Sequence, residues 1–156
     1  MSLTDIDLDL VYDGTTAQTV GMRFAGVAVP VGATITRAYV QFTVNDVTSG
    51  TASLTVAGQA ADNASAFRAV TGDVSSRPRT TAVGWTPSAW TKRGLNGVDQ
   101  QTTDLAPVLQ EIVSRSAWAS GNAVALVVTG TSGSRSAAAF EAGGNKAPVL
   151  HIEWRK

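Results

Sequence analysis

The sequence predicts an all-β fold: an antiparallel, jelly-roll-like β-sandwich with one short α-helix packed on a sheet. Three observations carry this. Most apolar residues recur with a period of two, as half-buried antiparallel strands require. Turn residues interrupt these runs at short intervals. One segment alone switches to a helical period. At 156 residues the chain is expected to form a single domain, residues 1–156, long enough to bury a core.

The first segment, "DIDLDLVYDG", reads as extended, with Asp5, Asp7 and Asp9 on one face and Asp13 following. "TVGMRFAGV" alternates Val20, Met22 and Phe24 against Gly21, Arg23 and Ala25. Pro30 and Gly32 then signal a turn. In "RAYVQFTVND", Ala38, Val40, Phe42 and Val44 share one face, while Arg37, Tyr39, Gln41 and Thr43 share the other. "NDVTSGT" reads as a hairpin loop into "TASLTVAG", where Ala52, Leu54 and Val56 point the same way.

Residues 61–101 break the pattern. They are rich in Ser, Thr, Asn, Gly and Arg, and a loop this long is uncommon unless functional or self-packed. Trp85 and Trp90 are expected to pin it to the body. "TTDLAPVLQEIVSR" is the helix. Thr103 or Asp104 caps its free N–H groups, and Pro107 is tolerated because it falls in the first turn. Leu105, Val108, Leu109, Ile112 and Val113 form its apolar stripe. Glu111 and Arg115 stand one turn apart, the spacing of a supportive ion pair. Trp118 and Gly121-Asn122 read as a structural corner. "NAVALVVTG" is apolar on both faces, so it is a central strand, with the helix expected over one face. "GTSGSRSAAAFEAGG" reads as a hairpin. "PVLHIEWR" closes the chain with Leu150, Ile152 and Trp154 on one face, His151 and Glu153 on the other.

Composition narrows the function. Lys+Arg and Asp+Glu are 12 each, so the net charge is zero. That argues against nucleic acid, which selects a basic excess. No apolar run approaches the ~20 residues that span a bilayer. With no cysteine, disulfides and thiolate metal sites are absent. Met1-Ser-Leu-Thr-Asp lacks the basic and apolar regions of a signal peptide. The expectation is either a protein that reaches its place without the secretory route or an excised domain.

Catalytic signatures are missing. The one histidine, His151, lies on the last strand; no G-x-S-x-G or H-E-x-x-H occurs; the carboxylates fall in no recognisable glycosidase frame. A non-enzymatic role is expected, with no cofactor required. Structural Ca²⁺ is the one ion the residues suit, through Asp5, Asp7 and Asp9 or through Asp62 and Asn63. A solvated acidic edge that discourages strand pairing explains the first set as well. Arg23, Arg77, Arg79 and Arg135 need partners if buried, with Glu141 or Asp104 as candidates. A sugar site would need aromatic rings on an exposed face; Tyr39, Trp85 and Trp90 are the best placed.

"GMRFAGVAVPVGATITRAYVQFTV", "RPRTTA" with its following tryptophans, "TTDLAPVLQEIVSRSAWASGNAVALVVTG" and "APVLHIEW" together resemble the DNRLRE-like group of bacterial β-sandwich modules. Such modules are appended to secreted enzymes and surface proteins, and some are described as carbohydrate-binding modules. The resemblance implies a non-catalytic role.

Two function classes follow. The first is a structural or attachment protein on a particle surface, such as a phage capsid decoration or tail accessory protein. Its partners are copies of itself or shell proteins. The second is a carbohydrate-binding module cut from a secreted polysaccharide-acting protein. The expected location is a virion surface or the extracellular space. For the first class the assembly surface falls on the chain-end segments: Asp5, Leu8, Leu10 and Tyr12, with His151 and Trp154.

Overall fold

In chain order the strands are β1 (Asp7–Leu10), β2 (Tyr12–Asp13), β3 (Thr16–Ala17), β4 (Val20–Phe24), β5 (Thr34–Gln41) and β6 (Val44–Asp46). They continue with β7 (Ser53–Gly58), β8 (Val83–Trp85), helix α1 (Ala106–Val113), β9 (Val124–Ser132), β10 (Arg135–Ala138) and β11 (Val149–Arg155). The structure, a computed structural model, describes residues 2–156. One layer holds β4-β9-β7-β8 in that order. The other holds β1-β10-β6 together with the pair β11-β5, and β2 with β3 makes a small ribbon. Every pairing is antiparallel, and the fold is a β-sandwich with one short helix.

The alternation from Ala38 to Val44 points all four apolar side chains into the core, where each is at most 3% exposed. The backbone, though, divides this run. β5 pairs with β11 and β6 pairs with β10, so one continuous stretch is the spine for two strands laid end to end. β10 and β11 both run antiparallel to that spine, and residues 139–148 loop out between them.

Two expected hairpins are absent. β6 and β7 lie in different layers, so "NDVTSGT" carries the chain across the sandwich. β9 and β10 are likewise in different layers. Turn residues dictate only that the chain bends; whether the next strand pairs or crosses depends on which layer still needs a neighbour. The crossing at Gly133 needs glycine on two counts. Its φ is +70°, and a Cβ there would fall 2.1 Å from the Thr51 carbonyl oxygen.

Asp104 does cap α1. Its Oδ1 accepts the Ala106 N–H at 3.0 Å and also the Ala38 N–H at 2.9 Å, so one carboxylate starts the helix and ties it to β5. The stripe is core: Leu105, Val108, Leu109 and Ile112 are fully buried. The helix does not cover β9, however. It packs against β5 and β7, and Gly58 makes room for it, since a Cβ there would sit 2.5 Å from Ile112 Cδ1. The outer face of β9 is covered instead by the long crossover. Ala64, Ala123 and Ala125 form a small buried cluster closed by Phe67.

That crossover holds itself in place. Buried Arg77 donates to Asp73 Oδ2, Gln59 Oε1 and the Ser65 and Ala66 carbonyls, each at 2.8 Å, and lies 4.4 Å over the Phe67 ring. It also contains β8, a strand not expected from the sequence. Arg23 donates to the Ala64 carbonyl and Arg79 to that of Ser75. Arg135, 1% exposed, donates to four carbonyls, those of Ser88, Ser134, Gly50 and Pro87. Neither Glu141 nor Asp104 pairs with these arginines; Arg77 finds its carboxylate in Asp73, and for Arg23, Arg79 and Arg135 carbonyls of irregular backbone take that place.

Candidate functional site

The aromatic residues considered for a sugar site part company. Trp85 is 4% exposed, with its ring stacked 5.6 Å from Phe42. Trp90 is fully buried, tilted against the same Phe42, and its Nε1–H donates to the Asp99 carbonyl at 3.2 Å. Neither offers a ring face to solvent, which corrects the expectation for both. They pin the crossover into the core. Tyr39 alone stays near the surface. It stands opposite His151 on the outer face of β5 and β11, with rings stacked at 4.7 Å. The Arg37 guanidinium lies 4.9 Å from the Tyr39 centroid, and Arg37 reaches Glu153 at 4.0 Å.

The calcium candidates are also divided. Asp62 Oδ1 accepts from Arg115 Nε at 2.8 Å, the Asp62 carbonyl accepts from Asn122, and Asn63 Oδ1 accepts the Ala123 N–H. These oxygens are spent on a structural corner. Glu111, expected to pair with Arg115, instead accepts the Thr81 N–H. A longer-range partner displaces the helical one because the crossover brings Asp62 to the helix end. Trp118 completes the corner, buried, donating to the Val29 carbonyl at 3.0 Å. Asp5, Asp7 and Asp9 stay together, with Asp7 accepting from Asn45. Among the described residues no three carboxylate or imidazole groups converge as a metal shell.

The first acidic set borders a large concave feature. A groove of about 1510 Å³ opens between the free edges of β4 and β11. Leu150, Ile152 and Trp154 line it from one layer; Val20, Met22 and Phe24 line it from the other. Leu3, Phe140 and Val149 join them at its mouth, and with Trp154 these are four of the large apolar side chains the molecule exposes, Phe140 at 79%. Contiguous exposed apolar surface of this kind marks a binding site far more than a scattered leucine does.

The groove is also acidic. Asp5, Asp7, Asp9, Asp13 and Glu141 line it against a single cation, Arg23. Burial raises the Asp9 carboxyl above its ordinary value, and the charges of Asp7, Asp13 and Asp5 raise it further. The acidic run thus repels itself while one wall beside it is apolar. Chemically, the arrangement suits an extended segment that buries alternate apolar side chains and brings positive charge.

The expected assembly surface meets this groove in part. Asp5, Leu8 and Trp154 line it. Leu10 is fully buried, taken into the core by β1 pairing with β10, and His151 faces the opposite side beside Tyr39. Tyr12 is half-buried, its hydroxyl on the Thr131 carbonyl. Phe140 and the β4 wall were not foreseen; the signal for them is that β4 has an apolar face and no second neighbour. Among the described residues no helix is long and apolar enough to cross a membrane. Comparison with family models, curated proteins and solved structures returns no match for this chain.

Proposed function

We propose that this chain is a non-enzymatic attachment protein, working on a particle surface, of the kind that decorates a phage capsid or accompanies a tail. The observation that carries this reading is the open groove. A sandwich that exposes Val149 and Trp154 on one edge strand and Phe140 in the loop before it, while burying Trp85 and Trp90 elsewhere, has apolar surface to give to a protein partner. The test is co-sedimentation of the purified protein with particles isolated from its source. Ile152→Lys, which puts a charge on the groove wall, should abolish binding. Tyr39→Ala, on the opposite face, should leave it intact.

A second reading is favoured by the Tyr39–His151 stack with Arg37 and Glu153 beside it, an aromatic and polar strip on the outer face of β5 and β11. It supports a carbohydrate-binding module like those in the resemblance above. Polysaccharide binding on a glycan array, lost in Tyr39→Ala and kept in Ile152→Lys, would establish this reading and overturn the first.

A further inference from the structure

Resting on the attachment reading, we infer that the groove's occupant is a second copy of this chain, joined antiparallel along β11. Strand β11 is seven residues long and pairs only with β5. Among the described residues its other edge receives no backbone hydrogen bond. Such an edge is a template for another strand, and proteins that stay monomeric blunt it with prolines, inward charges or short length. β11 is neither short nor broken by proline, and its groove-facing side chains are Leu150, Ile152 and Trp154; Pro148 precedes the strand, and the one shift in its register with β5 falls near its end, between Glu153 and Trp154.

The charge pattern selects a copy of the same strand, antiparallel. The register that overlaps the whole of β11 is centred on Ile152. It sets Leu150 beside the partner's Trp154 on the groove side, since opposed residues in an antiparallel pair share a face. It also brings the partner's Arg155 and Lys156 past Val149. That is the acidic end: β1 pairs Asp7 with Ala138, just before the loop that leads into β11, and Asp5 and Glu141 line the groove there. The basic end of each copy meets the acidic end of the other, and two-fold symmetry makes every such contact twice. Strand addition supplies backbone hydrogen bonds, and the alternate apolar side chains supply selectivity.

The experiment combines sedimentation with cysteine cross-linking, which is clean because the chain has no cysteine of its own. The wild type should pass from monomer to dimer between low micromolar and millimolar concentration. Ile152→Cys should form a disulfide-linked dimer under mild oxidation. Val98→Cys, more exposed and at a remote site, should remain monomeric. Arg155→Glu with Lys156→Glu should weaken the dimer about tenfold or more, and adding Asp5→Lys with Asp7→Lys should restore it. Thermal melts confirm that each variant is folded. A monomer at every concentration, or failure of the charge swap to restore a weakened dimer, overturns the inference. Binding of a basic, alternately apolar peptide to a chain that never dimerises overturns it too. Loss of particle binding is read separately by co-sedimentation, so the attachment reading stands or falls on its own result.

Discussion

The two flanks of the β5–β6 spine are finished in different ways. On one flank, residues 94–105 run alongside and complete the pairing. The Gly94 N–H donates to Val44 at 2.9 Å, Phe42 to Gln100 at 3.0 Å, Thr102 to Val40 at 3.1 Å and Leu105 to Ala38 at 2.7 Å. Trp90 anchors this covering segment through its ring and its indole N–H. On the other flank β6 is extended by β10 and β1, but along β5 only β11 is added and then the sheet stops, facing an apolar groove. A chain able to cover one edge with a long, anchored crossover leaves the other bare, with tryptophan and isoleucine beside it. The difference separates side chains that hold the fold from side chains held in reserve for a partner.

Substitutions test that division directly. The largest effect belongs to Arg135, which fastens the crossover to two other loops through four carbonyls. Arg135→Ala strands those acceptors and should cost roughly 3–5 kcal/mol in chemical denaturation. Next is Ile112, fully buried between α1 and β7. Ile112→Ala should cost about 2–4 kcal/mol through lost burial and a residual cavity. A loss below about half a kcal/mol would break the claim that this side is the packed one.

Acid should separate the two regions by sign. Asp73, in the crossover, is held below its ordinary value first by the hydrogen bond from Arg77 and then by the Arg68 N–H. Its folded form binds fewer protons than its unfolded form. Its contribution is therefore complete above the ordinary carboxylate range, near pH 4, and is lost as pH falls through the lower folded value. Asp9, in the groove, is shifted the other way. Its ionisation destabilises the folded chain above its raised value, and that burden disappears below the unfolded value. Asp73→Asn should lower stability at neutral pH and flatten the acid limb. Asp9→Asn should raise neutral-pH stability by about a few tenths of a kcal/mol, a gain that vanishes in acid. Urea melts at pH 7 and pH 3 measure both.

The smallest loss among the packing changes should come from the groove wall. Trp154 is 41% exposed. Trp154→Ser should cost the dilute monomer about 1–2 kcal/mol, against about 3–5 for a buried tryptophan cut to alanine. A large loss at Trp154 would mean that the groove is part of the core and not a surface in waiting.

Much of the packed side was legible. The alternation from Ala38 to Val44, the α1 stripe and the run at "NAVALVV" are periodic signals, and periodicity reports burial. Layer membership was not legible, since "NDVTSGT" and Gly133 look the same whether the chain turns back or crosses over. The partners of Arg115 and Glu111, and three of the four carbonyls on Arg135, lie from 30 to 85 residues away, beyond the reach of local spacing. Trp85 and Trp90 were read both as anchors and as ring platforms, because an aromatic in a polar segment fits either until its burial is known. The groove was half legible: Asp5, Leu8 and Trp154 were singled out at the chain ends, but their convergence with Phe140 and β4 depends on tertiary structure.

Amide hydrogen exchange along β9 and β11, at low and high protein concentration, tests the contrast most directly. β9 is paired on both sides, by β4 and β7, so its amides should exchange only through global unfolding and at rates independent of concentration. Alternate amides of β11, those turned away from β5, should exchange fast in dilute solution and slow by about tenfold or more as copies pair. Equal protection of β9 and all of β11 in the dilute monomer would contradict an open edge.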